Sequence, residues 1–581
     1  MRRRDASAAR AVGRYLRMRW APLAFVAVLI AYRATQWGYF VVPAPDFFDF
    51  EHTARALAHG RLPDQFQRAP LYPALIALVT PALGGARPTL AAAQGLNLVL
   101  SAAALVIVYE LCALLVGRWA LLVVALTGLH WTMAYVTVHP LVEPTLMTAT
   151  LAALYLDASG RRGKYLAAGL AAAARYEGVF VIAALALADL WRRRSARVVI
   201  AAAAAAAAPT AAWLTIGALR AAPNPYVDVI IAQTPAGWEF VRSTAISAMG
   251  FAPVQALEGL LAGGAIWRAL LAAGSAAIAG LMAVGAYQLI RRHRDIAVSL
   301  LLFGAFYVAI HVIYPAANTR FVLPVLWLIY LLALVGAMTL AQWAQATVRM
   351  GHGWRWAGGL ALGVGASAAA VWAARRDGLW IVPLAVPLAL AAAGGGRLGA
   401  KRLLVTMPAA ALMVAGGLGL GGWYLDRESR WWAELEPVAR WCQQPPTPAV
   451  RLAATRSALE LVREICPQPR VRFYDLAQLD AVPGSGSGRR GASLPADVTH
   501  VLWCSTDTPL DNRGPQMVLS HRYADERQRL IPTGGKFVRR VARGHEAGWR
   551  ACARFAVGDQ RAVIYGRRNT VQARAGWEAK R

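Results

Sequence analysis

Residues 88–116 read PTLAAAQGLNLVLSAAALVIVYELCALLV, an apolar run longer than the roughly 20 residues an α-helix needs to cross a bilayer. The run shows no two-residue alternation, which excludes a barrel strand, and in hydrocarbon each backbone N–H and C=O must be satisfied within its own segment. A membrane-spanning helix is the expected structure. Working outward, comparable runs lie near 20–42, 119–138, 141–158, 198–217, 266–290, 296–315, 321–344, 356–374, 379–396 and 403–424, which makes eleven crossings in all. The composition agrees: of 581 residues, 57% are hydrophobic and only 16% charged, so a soluble class is excluded. Before the first run stand Arg2, Arg3, Arg4, Arg10, Arg14, Arg17 and Arg19, and no small-residue cleavage site follows it. An uncleaved first span is expected rather than a signal peptide.

The net charge of +30 suggests nucleic acid until its distribution is considered. Much of the arginine sits in short clusters beside apolar runs, where basic residues mark the cytoplasmic side. RRGK from Arg161, WRRRSAR from Trp191, RRHR from Arg291 and RLGAKR from Arg397 mark inner loops, as does the amino terminus. The expected protein is a multi-pass inner or plasma membrane protein with a cytoplasmic amino terminus, in contact with membrane lipids and without a nucleic-acid partner. Between Arg161 and Trp191 the chain is too short for two full spans yet is bounded by inside signals, so a broken, re-entrant pair of half-helices is expected with its turn at RYEG. That places Arg175 and Glu177 in or near the membrane, either as an internal salt bridge or in contact with substrate.

After Leu425 the apolar runs stop. VRLAATR, VRFYDL, HVLWC and RAVIYG read as strands, interleaved with helical WWAELEPVARWC and SALELVREIC, which predicts a small extracytoplasmic α/β domain over 425–581 behind a membrane domain over 1–424. PGSGSGRRG from Pro483 reads as a flexible loop within it. Four of the five cysteines, Cys442, Cys466, Cys504 and Cys552, fall in this tail, where disulfide pairing is open to them, while Cys112 reads as packing. No CxxC spacing supports a structural zinc site.

The outer loop Pro43–Arg87 carries PDFFDFEHTARALAHG and then QRAPLYPALIALV. Phe47, Phe50, Ala54 and Leu57 follow helical spacing, with Asp46, Asp49 and Thr53 on a neighbouring face, as in an amphipathic helix at the membrane surface. Arg68 and Tyr72 follow in the same loop, Glu143 stands at a turn between two spans, and Arg320 opens another span. All map to the outer side. Each has a plain alternative: Asp46 and Asp49 as a helix-capping pair, Glu143 as a helix-start acid, Arg68 and Arg320 as head-group anchors. Their convergence supplies a base and a phosphate clamp beside a lipid-accessible surface.

In this order the motifs resemble those of the polytopic GT-C glycosyltransferases that use polyprenyl-phosphate sugars, among them the protein O-mannosyltransferases and the aminoarabinose transferases of lipid A. DFFDFEHTARALAHG resembles the acidic motif of their first outer loop, RAPLYP their basic-Pro-Pro-Leu-Tyr-Pro element with Ala69 for the first proline, Val142-Glu143-Pro144 their acidic-Pro element, ARYEGV their Arg-x-Glu-Gly element, and RFVLP at Arg320 their Arg-Tyr-x-Leu-Pro element. The resemblance covers residues 20 to 345. It implies a GT-C fold, an α-helical polytopic membrane protein with about 11–13 membrane helices and an extracytoplasmic α/β domain. It also implies a polyprenyl-phosphate sugar donor and a lipid, glycan or protein acceptor. By the same resemblance Asp46, with Asp49 as partner or substitute, is the catalytic base, and Arg68, Tyr72, Glu143, Arg175, Glu177 and Arg320 bind donor phosphate or substrate. Many members carry an adjacent Asp-Glu pair, whereas here Phe47 follows Asp46. Which acid is the base, and whether a divalent cation is held, therefore stay open. A lipid or lipid-linked sugar transporter is the rival, but it should show two related halves, and residues 1–220 and 221–424 show no convincing repeat.

Overall fold

The structure is a computed structural model. It describes residues 22–37, 45–84, 87–220, 265–313, 319–347, 435–443, 450–454, 472–475, 499–504, 549–557 and 560–567, with residues 20, 43 and 462 standing alone. The chain divides into two units, Met1–Trp37 with Phe50–Tyr424 and Gly38–Asp49 with Leu425–Arg581.

The first unit is helical. Its elements are α1 (Pro22–Ala34), most of α2 (Pro45–Ala58), α3 (Leu71–Val79), α4 (Pro88–Val116), α5 (Ala120–Leu129), α6 (Trp131–Val138), α7 (Glu143–Ala158), α8 (Lys164–Ala174), α9 (Val179–Trp191), α10 (Ala196–Leu219), α11 (Ala265–Arg292), α12 (Arg294–Ile313) and α13 (Leu323–Thr347). Four stretches among the described residues are long and apolar enough to cross a membrane: Pro88–Leu129, Ala196–Leu219, Arg294–Ile313 and Arg320–Trp343. The first of these turns at Gly117, whose φ of 58° suits glycine. The spans expected at 356–374, 379–396 and 403–424 lie outside the described residues.

One expected span is two helices. The run 119–138 breaks at His130, which takes an extended conformation and caps α6 by accepting the Thr132 N–H on Nδ1 at 3.1 Å. The core is apolar and continuous across α4, α7, α12 and α13, with Trp327, Phe303, Leu105 and Leu111 fully buried. Helices α11 and α13 approach to backbone distance: a Cβ on Gly285 would stand 2.0 Å from the Leu332 carbonyl oxygen, and one on Gly336 2.0 Å from that of Leu281. Small residues allow this closeness, and dispersion between the backbones rewards it.

The sequence between Arg161 and Trp191 folds as expected into two helices, α8 and α9, joined at Arg175 and a 3-10 turn over Tyr176–Gly178. A Cβ on Gly178 would lie 2.2 Å from the Ala171 backbone, so only glycine fits this turn against α8. The far ends of the two helices meet in a charged cluster. Lys164 Nζ bridges Asp157 at 2.7 Å and Asp189 at 2.6 Å, and Arg192 holds Asp157 through Nη1 and Nη2 at 2.8 and 2.9 Å. The Tyr165 hydroxyl donates to Asp189 at 3.1 Å, the Ser299 hydroxyl to Asp157 at 2.5 Å, and Arg192 also donates to the Asp295 carbonyl. Four helices, α7, α8, α9 and α12, are riveted together there by two carboxylates held by Lys164, Arg192 and Arg194, the last at 3.3 Å from Asp189.

The second unit contains helix α14 (Leu435–Gln443) and a five-stranded sheet of β1 (Arg451–Ala454), β2 (Arg472–Asp475), β3 (His500–Cys504), β4 (Trp549–Val557) and β5 (Gln560–Arg567). The order is β2-β1-β3-β5-β4, with β1 parallel to β2 and β3, and β5 antiparallel to β3 and β4. Four of these strands are those expected; β4, WRACARFAV, hides its alternation behind two arginines. Burial drives the His500 imidazole down to about 4 and the Cys552 thiol up to about 11. Cys442 is a buried thiol, and the Cys552 thiol donates to the Ile564 carbonyl at 3.1 Å, so these two are not in disulfides. PGSGSGRRG and most of SALELVREIC lie outside the described residues.

Candidate functional site

At the end of the bundle opposite the Asp157 cluster, a corner and a turn bring together residues far apart in sequence. The corner is His139–Val142, between α6 and α7. Asn97 on α4 sets it, with Nδ2 at 3.0, 2.7 and 2.8 Å from the carbonyls of Val136, His139 and Leu141, oxygens that the end of α6 leaves without helical partners. Helix α7 therefore starts in a fixed place, and its first residue, Glu143, is 1% exposed.

The turn is Arg175–Gly178. Arg175 is extended at φ −156° and ψ 139°, which carries its side chain away from α8. Its Nη1 donates to Glu143 Oε1 at 3.1 Å, and its Nε lies 3.2 Å from Glu177 Oε1. Arg320, in the 3-10 turn that opens α13, places Nε 3.5 Å from the same Glu143 oxygen. Phe321 lies between the two arginines, its ring 4.7 Å from the Arg175 guanidinium and 5.3 Å from that of Arg320. Glu143 Oε2 accepts no hydrogen bond.

Arg68 reaches the same place through its loop. The Arg68 carbonyl accepts from Trp213 on α10 at 3.0 Å, and the Phe66 carbonyl from the Tyr176 hydroxyl at 2.6 Å. The Arg68 guanidinium lies over the Phe50 ring at 5.1 Å and within electrostatic reach of Glu177. Tyr72, fully buried, stands edge-on to Phe50 at 5.1 Å, with its hydroxyl near Asn97 and Glu143. Among the described residues, Arg68, Arg175 and Arg320 thus gather around Glu143 and Glu177.

Of the expected site residues, the structure gathers Arg68, Tyr72, Glu143, Arg175, Glu177 and Arg320. Asp46 and Asp49 occupy the opening turns of α2, both half-buried, and belong to the second unit. Phe47, Phe50 and Ala54 are buried as the spacing predicts, but Leu57 is half-buried, and Phe48, Glu51 and Thr53, off that face, are buried too. Further along α2, within the first unit, Glu51 accepts from the Thr89 hydroxyl at the start of α4 and pairs with Arg55 at 2.8 Å. Among the described residues, no three His, Cys, Asp or Glu side chains gather to hold a metal ion.

Sequence reasoning missed two members of the cluster. Tyr307, 1% exposed, sits near Arg175, Glu177 and Glu143, and its hydroxyl has no hydrogen-bond partner. His311, one turn on, stacks between Tyr307 and Phe321 at centroid distances of 4.4 and 5.2 Å. The available signal was the histidine itself: an ionisable side chain inside an apolar span is a functional candidate by default.

No family model and no curated protein sequence matches the chain. Solved structures do. ArnT from Cupriavidus metallidurans bound to undecaprenyl phosphate aligns over 96% of this chain and 99% of its own, at 14% identity and a TM-score of 0.51. Its apo state aligns over 94% and 98% at 14% identity and a TM-score of 0.48. The Archaeoglobus fulgidus oligosaccharyltransferase tethered to an acceptor peptide aligns over 84% and 70% at 11% identity, with a TM-score of 0.44. The chain is a membrane protein with the fold of the GT-C glycosyltransferases.

Proposed function

We propose that the protein is an integral membrane glycosyltransferase. It moves a sugar from a polyprenyl-phosphate donor to a hydroxyl acceptor at the outer face of the membrane, with inversion at the anomeric carbon. The observation that carries this reading is the three-arginine, two-carboxylate cluster of Arg68, Arg175, Arg320, Glu143 and Glu177, a cationic seat inside a fold shared with a transferase bound to undecaprenyl phosphate.

In the reaction an acceptor oxygen attacks the anomeric carbon while its proton passes to a carboxylate, Asp46 first and Asp49 as partner or substitute. The bond from the anomeric carbon to the phosphate oxygen breaks, and polyprenyl phosphate departs with the electron pair and one more negative charge than the donor phosphate carried. Arg68, Arg175 and Arg320 stabilise that growing charge, and Glu143 and Glu177 hold Arg175 and Arg320 in place between turnovers. The cluster faces out, the amino terminus lies inside, and the sheet unit is extracytoplasmic.

The test is transfer of label from a panel of radiolabelled polyprenyl-phosphate sugars to membrane extract by the purified chain in nanodiscs. Transfer that disappears in Asp46→Asn, from a protein that still elutes as folded, supports the reading. Wild-type rates in Asp46→Asn move the base to Asp49, and a product of retained configuration overturns single displacement.

A further inference from the structure

A buried arginine stands outside both clusters. Arg33, on α1, is 1% exposed. Its Nη1 donates to Gln36 Oε1 at 3.2 Å, and its guanidinium lies 5.4 Å from the Tyr32 ring. Among the described residues, no carboxylate pairs with it, and Nε and Nη2 donate to nothing. An unpaired charge in such a place is strongly unfavourable.

The pattern of what is bonded matters. Gln36 takes one nitrogen. The two that remain, Nε and Nη2, form the side-on edge of the guanidinium, the fork that receives two oxygens of a phosphate or carboxylate at once. The helix that carries Arg33 packs against two others. One turn before Arg33, Leu29 fills the space over Gly128 on α5, and one turn after it Trp37 covers Gly95 on α4, so this face of α1 lies against α4 and α5. Beside Gly95, Gln94 is buried with Nε2 unbonded, and one turn beyond Gly128, Thr132 is buried with its hydroxyl unbonded. Gly95 is also two residues from Asn97, which builds the corner before Glu143.

We infer that Arg33 is an anion-recognition residue whose open Nε/Nη2 edge takes the phosphate of a lipid substrate. The phosphate belongs either to the polyprenyl donor or to a phosphate-bearing acceptor lipid. The lipid in this inference rests on the proposed function; the anion rests on Arg33.

The experiment is thermal unfolding of the full chain in phosphatidylcholine nanodiscs, with undecaprenyl phosphate, undecaprenol or phosphatidic acid added, for wild type, Arg33→Met and Arg33→Lys. A ligand that binds only the folded state raises Tm. The expected result has three parts. A lipid phosphate raises the wild-type Tm by several degrees and undecaprenol does not. Ligand-free Arg33→Met melts at or above wild type, because the unpaired charge is gone. The ligand shift vanishes in Arg33→Met and shrinks in Arg33→Lys, which keeps the charge and loses the fork. Should Arg33→Met fail to fold, Arg33→Lys carries the same readout, and an undiminished shift there overturns the inference. So does a wild-type shift in Arg33→Met, or a lower ligand-free Tm in that variant with the shift intact. An Arg33-dependent shift with undecaprenyl phosphate assigns the site to the donor. One with phosphatidic acid alone assigns it to an acceptor lipid. If undecaprenyl phosphate then leaves every protein unmoved, the polyprenyl-donor reading falls while the anion site stands.

Discussion

Helix α7 begins in one charged cluster and ends in another, about 21 Å away at 1.5 Å per residue from Glu143 to Asp157, and the two differ in how their polar atoms are spent. At the Asp157 end both carboxylates are saturated by Lys164, Arg192, Arg194, Tyr165 and Ser299, so their oxygens are all engaged. At the Glu143 end three arginines meet two carboxylates, and Glu143 Oε2 and the Tyr307 hydroxyl are buried with nothing to bond. A finished network holds helices together. On the proposed function, the unbonded Glu143 and Tyr307 oxygens are where a substrate adds its contacts.

The contrast breaks if the two ends respond alike. The largest effect on stability belongs to Asp189→Leu, which strips Lys164 and Arg192 of a carboxylate whose side chain is 2% exposed. A loss of about 3–5 kcal/mol is expected, seen as a lower Tm in nanodiscs, while the protein that remains folded turns over normally. A wild-type Tm would remove the distinction. Arg175→Gln should do the reverse: transfer falls about 10²–10³-fold, with a smaller drop in Tm because Glu143 keeps Arg320. A collapse of Tm to the level of Asp189→Leu would make the Glu143 cluster a second rivet.

The sheet unit supplies a third kind of burial, a titratable group without a charge to match. His500 packs beside Trp441 and Thr499, and burial lowers it from 6.5 to about 4 in the folded state. Between those values the unfolded chain binds the proton and the folded chain does not, so the sheet's stability is complete above about pH 6.5 and declines as pH falls toward 4, by on the order of 2 kcal/mol. Hydrogen exchange of the β3 amides should show this slope, and His500→Leu should flatten it; an unchanged slope assigns the acid sensitivity elsewhere. The smallest effect is Tyr307→Phe. Removing a hydroxyl that bonds nothing leaves Tm unchanged, whereas donor KM rises about tenfold, worth roughly 1.4 kcal/mol. An unaltered KM would leave the hydroxyl outside the donor site.

The sequence made some of this visible and concealed the rest for physical reasons. Apolar runs show where helices lie, since lipid enforces their length, and the alternation of VRFYDL or HVLWC exposes strands. It does not show that 119–138 breaks at His130, because a capping imidazole looks like any other residue in the run. Glu143, Arg175 and Arg320 were found through the order of motifs, and no periodicity could have paired them across 177 residues of chain, the span from 143 to 320. The Asp157 cluster is legible only in part: RRGK and WRRRSAR, which supply Lys164 and Arg192, read as topology signals and say nothing of an ion-pair network. Asp157 and Asp189 held the missing clue, for each is an acid near the carboxyl end of a helix, where the macrodipole disfavours it unless a tertiary partner compensates. Tyr307 and Arg33 stand in no motif or spacing that marks them in the sequence.

The close approach of α11 and α13 has a consequence for how this gene can drift. Alanine dominates the helices, and a glycine codon becomes an alanine codon by a single base change. At Gly285 and Gly336 that commonest of steps puts a methyl group 2.0 Å from a backbone oxygen of the opposing helix. The pair therefore acts as a checkpoint against the chain's own compositional tide. A neutral-drift library scored for folded protein should fill almost every helical surface with alanine and leave those two positions as glycine.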